Sequence, residues 1–408
     1  YVAARYLARR GAAVTAYALA EPKTTEAVAA ASRWAATGGT VAPIGAVEPS
    51  DILIDAVFGV GFRGELPPAV AAWRGSADRV VAIDVPSGLD ASSGAAVKGV
   101  LNADLTVALS NFKVGHFFGS GPDVCGRLVL APLSLPEAEA TMYLCEAEDA
   151  PLPSRKRDAH KWSAGAVAVV GGSAGMAGAA VLSAKAALGF GAGAVATFVP
   201  SAIAGELDAA HPEIMTRGVG VGSGWDGVKA ADLDLDRFDC IVVGPGMGSG
   251  GTELVHSLLA SVDQPIVLDA DGLNVTTPAD LADRRSQTVI TPHGGEFKRL
   301  TGSGAHHLAA SQLADDADAV VLLKGPNTTI AQPGSQPWLV TTGGPELASV
   351  GTGDVLAGMI GALIGRGLDA PVAARSAAYW HGVAGADIAT TSSVTADRMA
   401  DAIRRFAK

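Results

Sequence analysis

Short runs of consecutive apolar residues, each halted by Gly, Pro, Ser or Asp, recur along this chain and constrain its fold more than any other feature. A strand with one wet face alternates polar and apolar residues. A run without alternation has no wet face and must be covered on both sides. In the first third these runs are Ile52-Leu53-Ile54, Val80-Val81-Ala82-Ile83, residues 105–109 and Leu128-Val129-Leu130. Later ones fall at 166–170, 195–199, 240–243, 265–268, 288–290 and 319–323, with helical patterns at 179–188, 354–364 and 373–389. Strands alternating with helices specify mostly parallel sheets with helices on both faces, the α/β class.

The texture changes at 132–160, which is rich in Pro, Glu and Arg and lacks strong periodicity. Two domains are therefore expected, 1–138 and 159–408, joined by a linker at 139–158; a length of 408 residues accommodates both. Tyr1 is followed at once by a helical pattern and then by Ala13-Val14-Thr15-Ala16-Tyr17. This reads as a chain entered midway through a helix, with earlier residues of the first domain missing.

The net charge is −11, and the longest basic run is Arg155-Lys156-Arg157. A nucleic-acid partner is not expected, because phosphate binding needs a clustered positive surface. The three cysteines, Cys125, Cys145 and Cys240, match neither a disulfide framework nor a zinc site, so reduced thiols and a cytoplasmic location are expected. The uncharged run 163–184 is Gly-, Ala- and Ser-rich and broken at Gly171-Gly172-Ser173, so no membrane span is expected. Small residues on 179–188 and on the last helices suit packing between subunits or onto the sheet; a homo-oligomer is expected.

Gly351-Thr352-Gly353-Asp354 opens a helix. A glycine turn feeding a helix presents free N–H groups and the positive end of the helix dipole, which together make an anion site. A carboxylate beside a phosphate bound there suits a general base acting on a hydroxyl that attacks phosphorus. The plain alternative is an ordinary helix start. Lys324-Gly325-Pro326-Asn327-Thr328 follows a strand, as an ordinary hairpin or as a phosphate contact. Thr291-Pro292-His293-Gly294-Gly295-Glu296 follows another, where ligands bind in open α/β sheets. Gly244-Pro245-Gly246-Met247-Gly248 is not a dinucleotide fingerprint, since Ser249 stands where the last glycine is required, and the glycine turn 171–178 is not a Walker loop, since no Lys-Ser or Lys-Thr follows it.

In the first block Ile54-Asp55 and Ile83-Asp84-Val85-Pro86-Ser87 place acids and a hydroxyl at strand ends, hard oxygen donors suited to an alkali or alkaline-earth cation. The loop Gly59-Val60-Gly61-Phe62-Arg63-Gly64-Glu65 follows the first of them, and Lys113 and His116 follow the third strand.

With Asp269-Ala270-Asp271-Gly272-Leu273, His160-Lys161 and Gly178-Ala179-Ala180, the ordered set over 155–408 resembles the ADP-dependent NAD(P)H-hydrate dehydratases of the ribokinase-like superfamily. The first block resembles the NAD(P)H-hydrate epimerases, and the order of the halves matches the bifunctional NAD(P)H-hydrate repair enzymes. The epimerase family's Asn-Asn-Gly-Gly-Asp stretch is absent here. The resemblance implies a Rossmann-like three-layer domain followed by a ribokinase-like three-layer domain. It implies Asp354 as the catalytic base, and Lys324, Gly325, Pro326, Asn327, Thr328 and Gly353 as contacts of ADP or ATP with Mg²⁺. Ala179, Gly248, His293 and Asp354 would bind the hydrate in the second domain. Gly59, Val60, Gly61, Phe62, Arg63, Gly64, Glu65 and Asp84 would bind it in the first, with Asp55 and Ser87 on a potassium ion. Asp55 is also the candidate for proton transfer in the epimerase. The same superfamily leaves an alternative, an ATP-dependent vitamin-precursor kinase. A nucleotide-binding protein without catalysis is a further alternative.

Overall fold

The computed structural model describes residues 1–45, 48–133, 139–155, 157–158 and 160–407, and the chain divides into two units, Tyr1–Ala138 and Glu139–Lys408.

In the first unit β1 (Ala16–Ala18) and β2 (Val41–Pro43) form a small parallel pair. The helix Thr25–Ala35 lies between them in sequence; its N-cap Thr24 accepts the Ala27 N–H, satisfying one of the donors a helix start leaves open. Four further strands, β3 (Ser50–Asp55), β4 (Ala77–Ile83), β5 (Leu105–Leu109) and β6 (Arg127–Ala131), pair in that order, all parallel. All four polypeptide directions agree, so Asp55, Asp84 and Ser110 arrive at one edge of the sheet, the carboxyl ends of three neighbouring strands.

The second unit carries β7 (Tyr143–Leu144), β8 (Ala166–Val170), β9 (Ala194–Pro200), β10 (Met215–Val219), β11 (Cys240–Val243), β12 (Ile266–Leu268), β13 (Thr288–Ile290), β14 (Val320–Leu323), β15 (Thr328–Ala331) and β16 (Trp338–Val340). They make one sheet in the order β10-β9-β8-β11-β12-β13-β14-β15-β16-β7. The sheet is parallel from β10 to β14, after which β15 and β16 run as antiparallel hairpins. The unalternating apolar runs have the expected cause: every residue of β8 is buried, with Val167 and Val169 in one core and Ala166, Ala168 and Val170 in the other. The helices Ala177–Gly189, Thr352–Gly365 and Ala370–Ala389 cover the first face, and Thr252–Ser261 and His307–Ala317 cover the second. Among the described residues no helix is long and apolar enough to cross a membrane.

The stretch expected as a linker departs from expectation. Tyr143–Leu144 pairs with β16, and the carbonyls of Asp149 and Ala150 accept from Arg375 Nε (2.7 Å) and Trp380 Nε1 (2.9 Å). Residues 139–150 are thus an edge of the second unit. A two-residue strand has too little sequence to show periodicity, and its partners lie about 200 residues away, as with Tyr143 and Trp338.

The helix Thr352–Gly365 rests on Ala177–Gly189 by close backbone contact. A Cβ on Gly358 would run into the carbonyl of Ser183. Gly358→Val is expected to push the helices apart at a cost of about 1–3 kcal/mol, read as a lower denaturant midpoint for this unit.

Candidate active sites at the two sheet edges

In the second unit the carboxyl ends of β8, β11, β12, β13 and β14, neighbours in the sheet, deliver the residues singled out by their motifs. The glycine turns interlock. Gly172 N–H donates to the Pro245 carbonyl (2.8 Å), a side chain on Gly171 would strike that same carbonyl, and Gly244 lies against the Asp269 carbonyl and Gly272. These glycines are needed because three turns share one small volume. Gly248, at φ +76°, donates its N–H to Asp271 Oδ2 (2.8 Å) and lies beside Ser173 and Met176. Ala179 stands against Gly246, so Ala179 and Gly248 flank one wall.

The opposite wall is the start of the helix Thr352–Gly365. Gly351, at φ +87°, is its N-cap, so the turn takes a conformation that glycine adopts without strain. A Cβ on Gly353 would stand 3.4 Å from Lys324 Nζ and 3.9 Å from Asp269 Oδ2. An ammonium group and a carboxylate therefore sit directly before the first turn of that helix. Lys324 Nζ pairs with Asp269 Oδ1 at 2.8 Å, and Thr291 Oγ1 donates to the same oxygen at 2.6 Å. Ala270, next in sequence, is held at φ +47°, a costly backbone for alanine that the packed turns impose.

Burial, helped by the charges of Asp269 and Asp271, pushes the Asp354 carboxyl up to about 7 against the pull of Lys324. Burial works against the Lys324 charge, but Asp269, Glu296 and Asp354 outweigh it and the ammonium pKa is raised. The mouth thus holds a carboxyl poised near neutrality beside a fixed cation, the electrostatic pairing of a proton acceptor with an anion holder.

His293 caps the helix Gly294–Thr301: its Nδ1 accepts the N–H groups of Gly295 (2.9 Å) and Glu296 (3.3 Å), and its Nε2, on a largely exposed side chain, lies 3.5 Å from Glu296 Oε1. Because β13 and β14 are adjacent, His293 bridges to Lys324 in the backbone. Gly325 and Pro326 lie exposed in the β14–β15 turn and Asn327 and Thr328 are half-buried. That segment is thus a hairpin with Lys324 turned inward at its base.

Sequence reasoning gave Asp269 and Asp271 no role, although both lie in a quoted motif, and missed His381. His381 is buried with Nε2 3.0 Å from the Thr352 carbonyl, and burial lowers its pKa to about 4, so a neutral ring braces the Gly-Thr-Gly-Asp turn from behind. No local signal marks it, since His381 lies in mid-helix 29 residues away.

In the first unit Asp55 is wholly buried. Its Oδ2 accepts Ser87 N–H (2.6 Å) and its Oδ1 accepts Ser87 Oγ–H (2.6 Å), while Ser87 Oγ accepts Phe58 N–H (3.0 Å). Burial pushes this carboxyl up, and among the described residues no basic side chain pairs with it. A buried acid and hydroxyl without a cationic neighbour fit a potassium ion as donors. They are poorly placed for proton exchange with a substrate, because the Asp55 side chain is wholly buried. Asp84, in contrast, keeps part of its side chain (15%) exposed at the edge and pairs with Lys113. In the loop 59–65 the Phe62 side chain turns inward and packs with Leu53, Leu66 and Trp73, so only its backbone can meet a ligand. Arg63, largely exposed, pairs with Asp90 at 3.3 Å.

Residues 167–405 match the NAD(P)H-hydrate dehydratase family model, and residues 1–115 match the YjeF-related protein N-terminus model. The chain is 36% identical to a bifunctional NAD(P)H-hydrate repair enzyme of Moorella thermoacetica, covering 95% of this chain and 80% of the relative. It is 37% identical to one from Mycobacterium tuberculosis, covering 91% and 77%. Among solved structures, an ADP/ATP-dependent NAD(P)H-hydrate dehydratase from Bacillus subtilis, co-crystallised with ATP/Mg²⁺, superposes with a TM-score of 0.56 at 30% identity over 63% of this chain and 94% of that one. A ribokinase-like superfamily protein from Enterococcus faecalis, 23% identical, superposes with a TM-score of 0.58 over 67% of this chain and 98% of that one and shares the fold.

Proposed function

Because this chain belongs to the family of bifunctional NAD(P)H-hydrate repair enzymes, we propose that Asp354 is the base that starts ADP-dependent dehydration of the (S)-hydrate in its second unit. The chain is a nicotinamide-nucleotide repair enzyme with an epimerase domain followed by a dehydratase domain. The observation that carries the assignment of Asp354 is its place: a carboxyl pushed to about 7, at the first turn of a helix, beside Lys324.

The hydrate holds a hydroxyl on ring carbon C6, and hydroxide leaves poorly. Asp354 takes the proton of that hydroxyl, and the oxygen attacks the terminal phosphorus of ADP while the bond to AMP breaks. The N–H groups of Gly353 and its neighbours and the Lys324 ammonium hold the negative charge of the transferring phosphoryl. Phosphate then leaves C6 as the ring nitrogen supplies its electron pair, and loss of a proton from C5 restores the reduced ring. A Mg²⁺ ion bound with the nucleotide would supply further positive charge, which suits a mouth where Asp269 and Asp271 already raise the proton affinity of Asp354. Ala179, Gly248 and His293 line the hydrate's side, and Gly325, Pro326, Asn327 and Thr328 the nucleotide's. In the first unit Asp55 and Ser87 would hold a potassium ion, and Asp84 with the backbone of 59–65 meets the hydrate, so that R and S forms interconvert. We assign the chain to the cytoplasm, on its three buried free cysteines.

Mixing the protein with hydrated NADH and ADP tests this. The near-ultraviolet absorbance of reduced nicotinamide should return, AMP and phosphate should form, and the rate should rise with pH through about 7 as Asp354 loses its proton. A vitamin-precursor kinase would instead require ATP and accumulate a stable phosphorylated product. A rate that falls across that interval would remove Asp354 as the base.

A further inference from the structure

At the end of β4, Asp84 is held at φ +70°, and at the end of the adjacent β5, Ser110 is held at φ +63°. Left-handed backbone at two residues other than glycine, on neighbouring strand ends, is strain that the surrounding contacts must hold in place, and such strain clusters where chemistry is done. The contacts are explicit. Lys113 Nζ bonds Asp84 Oδ1, the Leu109 carbonyl (2.8 Å) and the Asn111 carbonyl (2.8 Å), which spends all three ammonium protons. Leu109 N–H donates to the same Asp84 Oδ1 (3.0 Å). His116 is buried; its Nδ1 accepts Lys113 N–H (3.1 Å), so its proton is on Nε2, which donates to the Asp84 carbonyl (2.8 Å). Backbone and one oxygen of Asp84 are therefore fixed. Among the described residues the other oxygen, Oδ2, takes no hydrogen bond, and it faces Gly59, where a Cβ would stand 3.8 Å away.

We propose that Asp84 Oδ2 is the proton carrier of the epimerase, with Lys113 and His116 as positioning residues; this rests on the epimerase reading of the first unit. Asp84 takes the proton of the C6 hydroxyl. As C6=O forms, the C6–N1 bond breaks and its electron pair passes to N1, where conjugation with the ring carboxamide spreads the charge. Rotation about C5–C6 turns the other face of the carbonyl to N1. The C–N bond re-forms, and Asp84 returns the proton to the oxygen. Atoms and charge balance with no co-reactant. One carboxylate is enough, because the oxygen never leaves the substrate; loss and return of hydroxide on opposite faces would need a proton carrier on each side.

Asp84→Asn in the full chain tests this, since Asn keeps the shape and tolerates left-handed backbone. Without ADP the second unit lacks its phosphoryl donor, so conversion of pure R-hydrate to S can be followed alone by chromatography. The variant is expected to lose about 10²–10⁴-fold in kcat with KM changed little, and hydrogen-exchange protection of β4 and β5 should be kept. After ADP is added, S-hydrate should still be consumed at the wild-type rate. Product formed in ¹⁸O-water should carry no label. A wild-type kcat with only KM raised, or label gained at each turnover, would overturn the proposal. Absence of R-to-S conversion by the wild-type chain would instead sink the epimerase reading and take the proposal with it.

Discussion

Asp354→Asn is expected to lower ADP-dependent dehydration by about 10²–10⁴-fold, the usual contribution of a positioned base, while nucleotide affinity stays within a few-fold. The phosphate-facing N–H groups belong to the backbone of 351–353 and survive the substitution. The same change should affect stability in a pH-dependent way. The folded carboxyl titrates at about 7 and the unfolded one near its ordinary 3.8, so its favourable contribution is complete below the unfolded value and lost as pH rises through the folded one. At pH 8 the ionised, half-buried Asp354 is a burden beside Asp269 and Asp271. The Asn variant should therefore melt higher than wild type at pH 8 and show little difference at pH 4. Equal turnover in the variant, or a lower melting temperature at pH 8, would contradict this account.

Lys324→Met should be costly in two separate ways. Its partner Asp269 has a side chain only 3% exposed, and removing the ammonium leaves that carboxylate unpaired. Breaking a buried pair costs about 3–5 kcal/mol, and since Lys324 is partly exposed the lower end is expected, read as the second unit's denaturant midpoint. Turnover should fall by about 10²–10³-fold through loss of charge at the phosphoryl. The pH for half-maximal rate should move above about 7, because Lys324 is the group that draws the Asp354 carboxyl down. The double variant with Asp269→Asn separates the effects. It should recover most of the stability, since no charge is left buried alone, and none of the phosphoryl charge stabilisation. Recovery of full turnover would show that Lys324 serves only to neutralise Asp269.

The parts of the fold that were legible are those whose residues see the same surroundings on both sides. Cys240–Val243 and Thr288–Ile290 appear at the boundaries their apolar runs suggest, as does Ala166–Val170, because these central strands are buried on both faces. The strand Met215–Val219 was not legible: it lies at the sheet edge, where a polar threonine, an exposed arginine and a glycine are tolerated and erase the pattern. Among the site residues, glycine turns and the Gly-Thr-Gly-Asp helix start are local, so chain neighbours alone announce them.

Pairings across the sheet are not local. Lys324 meets Asp269 from 55 residues away and His381 meets Thr352 from 29, and nothing beside either residue records its partner. Asp55 and Asp84 look alike in sequence, each an acid closing a strand. Only packing separates them, since Ser87 folds back onto both oxygens of Asp55 while Lys113 fixes a single oxygen of Asp84. The resemblance names Phe62 as a ligand contact without telling side chain from backbone, and only the packing shows that its ring fills the core beneath. The amino-acid order therefore determined which strands are buried, where the turns bend and which acids reach the sheet edge, since these depend on short-range sterics and on hydrophobic burial. Which carboxylate is sealed and which keeps a free oxygen was decided by tertiary contacts alone, because desolvation and charge pairing act through space between residues that the chain holds far apart.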